Sequence, residues 1–178
     1  MLGDRIRWPR PRAKAPVARL VRALWTAPTN LLGHAAGALV GRDRRRVGGP
    51  AARAWVYVIR RGLGLDWVGA VTLGHVILAR PGLLDGDGEL ARLTLAHELA
   101  HARQHDWLGP LYLPLHALAQ LVSAMLSFGR APRVSRVHDH NPLEQTFICI
   151  SAGATRPPYP PAIADAEDRA RFLTAFGV

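Results

Sequence analysis

Two histidines four residues apart, His97 and His101, enclose a glutamate, Glu98, in the pentapeptide His-Glu-Leu-Ala-His. Residues four apart on an α-helix lie on one face, about one turn from each other, so both imidazoles can bind one metal ion. Glu98 lies about 100° further round such a helix, where it can accept a proton from a water molecule that the metal activates. The pattern indicates hydrolysis at a zinc ion, but three fixed positions also occur by chance, so the neighbouring sequence has to decide.

The neighbouring sequence predicts a helix over residues 87–107, with Asp87 as its N-cap and Glu89 near its positive end. The two histidines share a helical stripe with four apolar residues, Leu90, Leu93, Ala96 and Ala100. A helix with two hydrogen-bonded core histidines and a surface glutamate is the alternative interpretation. We favour the metal site, because burying two imidazoles one turn apart beside a carboxylate costs free energy when they have no ligand.

A catalytic zinc ion usually has three protein ligands and one open position, so the pentapeptide alone leaves one ligand to be found. His105 continues the spacing of four, but it lies about 12 Å along a straight helix from His97 and cannot share the ion. His116 lies on the next predicted helix and is a candidate for a supporting contact. The third ligand should therefore come from a more distant segment.

Glu144 is the best candidate for that ligand, in the sequence Asn141-Pro142-Leu143-Glu144. A carboxylate in the first turn of a helix can face inward towards a cation, and the apolar residues that follow indicate a buried helix. A second interpretation needs no metal: Asn141 at the N-cap, Pro142 at N1 and Glu144 at N3 form a helix start of the capping-box type. The residues leave both interpretations open, and we favour the ligand.

The whole set of features resembles small bacterial zincin-like proteins: His-Glu-x-x-His, Gln104, Gly109-Pro110, an apolar helix and Asn-Pro-Leu-Glu. More widely it is similar to the gluzincins, in which a downstream glutamate supplies the third zinc ligand. The resemblance covers roughly residues 70–150. It implies bound zinc and peptidase activity, with Glu144 as the third ligand. The chain departs from the larger gluzincins at Ile148, where their Glu-x-x-x-Asp pattern has an aspartate.

The order of the elements predicts the fold class. In chain order the pattern first indicates helical turns over 17–40 with breaks at Pro28 and Gly33, and a basic loop over 41–50. Two β-like runs follow, over 54–60 and 67–79. The helix with the two histidines comes next, and an apolar helix over 111–128 follows it. Strands followed by a metal-bearing helix predict an α+β fold, a zincin-like core with a small sheet packed on that helix. The run 71–78, which contains His75 as a structural residue, is the strand expected to hold an extended peptide.

Length and composition predict one globular domain, since the 178 residues are 49% hydrophobic and 20% charged. We divide the chain into a basic Pro/Arg-rich arm (1–16), a zincin-like metal-binding domain (17–156), and a proline-rich linker with a short helix (157–178). A single cysteine, Cys149, excludes an internal disulfide framework and a cysteine-based zinc site. With no clear signal-peptide pattern, a cytoplasmic location is expected.

The formal net charge of +10 comes almost entirely from arginine, with clusters at 5–14 and 42–46. Such clusters can bind phosphates or an anionic membrane surface, but no groove-reading motif accompanies them, so we expect no specific nucleic-acid partner. The apolar helix 111–128 contains Pro114 and several polar residues and only just reaches the length of a membrane span. We expect it to pack inside a soluble protein, with a membrane-dipping segment as the alternative.

Together these features favour a zinc metallopeptidase that acts on a peptide or protein substrate. Zn²⁺ would activate a water molecule, and Glu98 would accept its proton and pass it to the leaving amine. A donor to the oxyanion is also required, and His138, His140 and Tyr112 are the candidates. Two alternatives are a zinc-stabilised binding module with weak turnover, and a protein that acts at a membrane surface or on nucleic acid through its arginines.

Overall fold

A four-stranded mixed sheet carries a long helix on each of its two faces, which confirms the α+β class. The computed structural model describes residues 16–49, 52–61, 69–84, 88–127, 141–145, 170, 173–174 and 176–178. Its elements are α1 (Pro16–Val40), β1 (Gly41–Gly48), β2 (Arg53–Ile59), β3 (Ala70–Leu73), β4 (Val76–Ala79), α2 (Glu89–Leu108), a 3-10 turn (Gly109–Leu111), α3 (Tyr112–Ser127) and α4 (Pro142–Gln145). His138, His140, Cys149 and all of the predicted arm 1–16 except Pro16 lie outside the described residues.

The strands are arranged in the order β1-β2-β4-β3, so β3 forms one edge of the sheet. β1 and β2 are antiparallel, β2 and β4 are parallel, and β3 and β4 form an antiparallel pair. The predicted single run over 67–79 is therefore wrong in part, because Gly74 and His75 form a turn that divides it. Gly74 has φ +65, which favours glycine, and a Cβ there would lie 2.2 Å from the Asn30 side-chain oxygen. Only the first half of the run reaches the sheet edge.

The long helix α1 covers one face of the sheet without interruption. A Cβ at Gly37 would lie 2.7 Å from the Tyr57 ring, so the glycine lets the helix backbone approach β2 closely. The predicted breaks at Pro28 and Gly33 are wrong, because packing along the sheet outweighs the local helix-breaking preference of these residues. The predicted basic loop over 41–50 is also wrong: β1 pairs with β2, and its exposed charges suit an edge strand.

Helix α2, which contains His97, Glu98 and His101, packs on the opposite face of the sheet. Its buried residues Ala96, Leu99 and Ala100 meet Val56 of β2 and Ile77 of β4 in the main core. Two residues near the C-terminus, Leu173 and Phe176, belong to the same cluster. The helix begins at Glu89 with Gly88 at the N-cap position, while the predicted N-cap Asp87 lies outside the described residues.

The apolar helix α3 forms as predicted but does not pack inside the described fold. Its inner side carries Tyr112 and Ser123, which are buried, while the apolar side chains point outwards. The exposed set, each between 43% and 68% accessible, is Leu111, Leu115, Leu118, Leu121, Val122, Met125 and Leu126. In the part of the chain that the structure describes, one helical stretch, Ala91–Leu126, has the length and mean hydropathy (1.2) of a membrane span. The prediction of an internal helix is wrong, because its buried side is the polar and aromatic one.

Candidate metal centre

Two histidines of α2 and one glutamate of α4 meet at a single point. The Nε2 atoms of His97 and His101 are 3.1 Å apart. The Oε2 atom of Glu144 lies 3.3 Å from the first nitrogen and 3.4 Å from the second. Ligand atoms around a tetrahedral zinc ion, at Zn–N distances of about 2.0–2.1 Å, are about 3.3–3.4 Å apart. The three residues therefore could hold a metal ion, and their spacing fits zinc.

The short helix α4 presents the carboxylate of Glu144 to the imidazoles. The Asn141 side-chain oxygen accepts a hydrogen bond from the Leu143 amide at 2.9 Å, which is an N-cap contact. The Asn141 side-chain amide donates to Gln120 on α3 at 2.7 Å and ties the helix start to the fold. Because Asn141 supplies the cap, the carboxylate of Glu144 can face the histidines and is only 7% exposed. The sequence left ligand and cap as alternatives for Glu144, and the structure brings its carboxylate to the histidines.

The ring of His101 is oriented by Gln104 and Tyr112. Its Nδ1 atom lies 3.0 Å from the Gln104 side-chain oxygen and 2.6 Å from the Tyr112 hydroxyl. The Gln104 side-chain amide donates to the Leu143 carbonyl at 2.8 Å, so one residue contacts both His101 and α4. A proton on Nδ1 leaves the lone pair of Nε2 for a metal, as is usual for histidine ligands. The Nδ1 atom of His97 is buried and has no hydrogen-bond partner among the described residues.

Glu98 is held by the edge strand rather than by the metal group. The Thr72 hydroxyl of β3 donates to Glu98 Oε2 at 2.6 Å, and the glutamate is 6% exposed. Such a bond to a carboxylate fixes its rotamer and is stronger than a neutral hydrogen bond. Glu98, the two histidines and Glu144 line one cleft of about 480 Å³, together with residues 69–73. The predicted base therefore lies beside the metal group and next to the edge of the sheet.

The remaining predicted residues have different positions. His116 lies 3.4 Å from Glu144 Oε1 through its Nε2 atom and 3.1 Å from the Tyr112 hydroxyl through Nδ1. The Tyr112 hydroxyl thus contacts His101 and His116 and is 2% exposed, so it supports the histidines; its role as an oxyanion donor stays a prediction. His105 is fully buried and packs against the Tyr112 ring, with the ring centroids 3.9 Å apart and the planes tilted by 47°. Burial lowers the pKa of His105 to about 4, with smaller opposing contributions from the backbone at Thr72 and Gly109.

Thr72 and the orienting role of Gln104 were not predicted from the sequence. Gln104 follows His101 by three residues on a helix, so its proximity could have been recognised from spacing alone. Thr72 gave no such signal, because its contact with Glu98 joins a strand to a helix across the fold.

A second polar cluster fixes α1 to α2 and to the β3–β4 turn. Asp106 pairs with Arg22 of α1, and its Oδ1 atom lies 3.0 Å from His75 Nε2. The His75 backbone amide donates to the Asn30 side-chain oxygen at 2.6 Å. Burial alone would raise the pKa of Asp106, but the hydrogen bond from His75 and the charges of His75 and Arg22 lower it overall. His75 therefore has the structural position that the sequence analysis expected.

No protein-family model, no curated protein and no solved structure matches this chain.

Proposed function

We propose that the protein is a zinc-dependent metallopeptidase with a zincin-like centre. The observation that carries this proposal is the meeting of His97, His101 and Glu144 beside Glu98 in a cleft bounded by an edge strand. Two imidazole nitrogens and one carboxylate oxygen are a usual protein ligand set for catalytic zinc. Thiolate ligands, which are typical of closed structural zinc sites, do not take part in this group.

A zinc ion bound by these residues would polarise the scissile carbonyl group and make a water molecule acidic near neutral pH. Glu98 is then the general base, because its carboxylate lines the same cleft and is not part of the ligand group. Thr72 holds one carboxylate oxygen of Glu98, which leaves the other to accept the proton and later deliver it to the leaving amine. Thr72 is thus a positioning residue for the base.

The edge of the sheet supports a peptide as the substrate. Strand β3 pairs with β4 on one side only, and residues 69–73 line the cleft next to Glu98. An extended peptide can add to such an edge by backbone hydrogen bonds, which recognise any sequence, while the cleft walls select side chains. The expected substrate-binding strand is therefore β3, and not the whole run 71–78.

Metal analysis and proteolysis together test the proposal. Wild-type protein given one equivalent of zinc should retain about one ion, whereas His97→Ala should retain much less. Glu98→Gln should keep the ion but lose nearly all hydrolysis of a broad peptide library, since an amide cannot act as the base. Arg92→Ala is a suitable control, because Arg92 is exposed, donates to the Val178 carbonyl and does not line the cleft.

Two results would contradict the proposal in different ways. Wild-type protein that stays free of zinc would remove the metal centre. A zinc-loaded protein that cleaves no peptide in the library would favour a zinc-stabilised binding module instead.

A further inference from the structure

The outer surfaces of α1 and α3 expose an unusual amount of apolar side chain. On α1 the residues at helical spacing include Leu20, Leu24 and Leu31, which are 60–70% exposed. On α3 they include Leu118, Leu121 and Met125, which are 57–68% exposed. We call these two stripes the apolar face. Rows of exposed apolar side chains of this kind mark a site of interaction with another apolar body.

Two exposed tryptophans lie where α1 meets the end of α2. The Trp25 indole nitrogen donates to the Trp107 carbonyl at 3.4 Å, and the two indoles are 40% and 62% exposed. Trp25 also packs on Gly109, at the turn from which α3 starts. Tryptophan is enriched where a membrane meets water, because its ring is apolar and its N–H is polar. The contact between α1 and the end of α2 therefore has the composition of a membrane-interface region.

The packing of α1 determines how such a contact would be oriented. One side of the helix lies against the sheet at Gly37 and Tyr57, so the helix cannot be surrounded by lipid. Its opposite side carries the apolar stripe, whereas Arg22, which pairs with Asp106, lies on the packed side. An amphipathic helix of this kind lies in the plane of a membrane surface and does not cross it.

Two exposed basic side chains of β1 lie over the Trp55 ring, on the sheet beside α1. Arg44 and Arg46 of β1 are cross-strand partners of Tyr57 and Trp55, so they lie on the sheet face that carries α1. Both arginines are exposed, and Arg46 also lines a cavity of about 350 Å³ together with Arg22 and Arg53. Guanidinium groups beside an apolar surface match the phosphates of anionic lipids beside their acyl chains.

We propose that the apolar face binds the surface of an anionic phospholipid bilayer, with α1 and α3 in its plane and Arg44 and Arg46 on the headgroups. A second copy of the chain fits less well, because facing arginine clusters would repel each other. The proposal does not depend on the metal centre, and its test measures membrane binding and not hydrolysis.

Vesicle flotation tests the proposal with the full chain. Wild-type protein should float with phosphatidylcholine vesicles that contain phosphatidylserine, and high salt should weaken the binding. Leu118→Gln and Leu121→Gln should each weaken it about tenfold by removing apolar area from the contact. Arg44→Ala should weaken it about fivefold. Arg92→Ala removes the same charge on α2, on the other face of the sheet, and should have no effect.

Unchanged melting temperatures should show that the leucine variants stay folded, since both side chains are more than half exposed. A blue shift of the tryptophan fluorescence on vesicle addition, reduced in Trp107→Gln, should accompany binding. Equal binding to vesicles without phosphatidylserine, or unaltered binding by the leucine variants, would overturn the proposal. So would a wild-type dimer that binds no vesicles and dissociates in Leu118→Gln, because the face would then join two copies.

Discussion

The fully buried His105 should make the folded protein sensitive to mild acid. Neither of its ring nitrogens makes a hydrogen bond of normal geometry with the described residues, and burial lowers its pKa from 6.5 to about 4. In the unfolded chain His105 becomes protonated near pH 6.5, whereas in the folded protein it stays neutral until about pH 4. The stability that this histidine contributes is complete above pH 6.5 and is lost as the pH falls through that window. By linkage, the free energy of unfolding falls by about 2 kcal/mol at pH 5 and by about 3 kcal/mol at pH 4, relative to neutral pH.

Urea unfolding of the metal-free protein at several pH values measures this effect. His105→Leu has no titrating group at this site. The free energy of unfolding of the variant minus that of wild type should therefore increase from its value at pH 7.5 by about 2 kcal/mol at pH 5 and by about 3 kcal/mol at pH 4. His34→Leu is the control, since His34 is only partly buried and hydrogen-bonded to Tyr57, and its effect should be smaller. If wild type and His105→Leu lose stability in parallel, the buried neutral histidine is not the cause.

Three further variants test the centre and the cluster behind it. Glu144→Gln should reduce zinc affinity by more than the ten- to hundredfold typical of supporting residues, measured by competition with a chromogenic chelator; unchanged affinity would show that Glu144 is no ligand. Thr72→Val should retain zinc but lower kcat about ten- to one-hundred-fold, because the lost hydrogen bond to the Glu98 carboxylate contributes about 1.5–3 kcal/mol. Normal turnover of this variant would show that Thr72 takes no part in the mechanism. Asp106→Asn should cost about 1–2 kcal/mol at pH 7, since Arg22 is partly exposed. That cost should shrink as the pH falls below the ordinary range of an aspartate and through the lowered pKa of the folded Asp106 carboxyl group. A difference in urea unfolding that stays constant with pH would contradict this.

The sequence predicted those parts of the molecule that depend on local spacing. His97 and His101 are one turn apart on a helix, and this relation is the same in any fold that contains the helix. The exclusion of His105 from the metal group follows from the same geometry, and the structure buries it against Tyr112 instead. Strand β2 was predicted within one residue of its start and end, because alternation and β-branched residues give a strong local signal.

The errors occurred where contacts between distant segments override local preference. Pro28 and Gly33 lower helix propensity, yet α1 continues through both because the sheet provides a surface along its length. The arginines of β1 resemble a solvated loop, but pairing with β2 determines their backbone conformation. The apolar content of α3 suggested burial, whereas composition alone does not say which body covers an apolar helix. Each of these outcomes depends on contacts with distant segments, which the local sequence does not predict.

The position of Glu144 depends both on its local sequence and on contacts with distant segments. A helix of four residues such as α4 is too short to be stable alone, so other elements must hold it in place. Gln104 of α2 binds the Leu143 carbonyl, and Gln120 of α3 binds the Asn141 side chain. The residue that orients His101 thus also anchors the segment that carries Glu144, so the ring and the carboxylate keep a common geometry. A change at Gln104 would disturb two members of the group at once, although Gln104 itself is not one of the three.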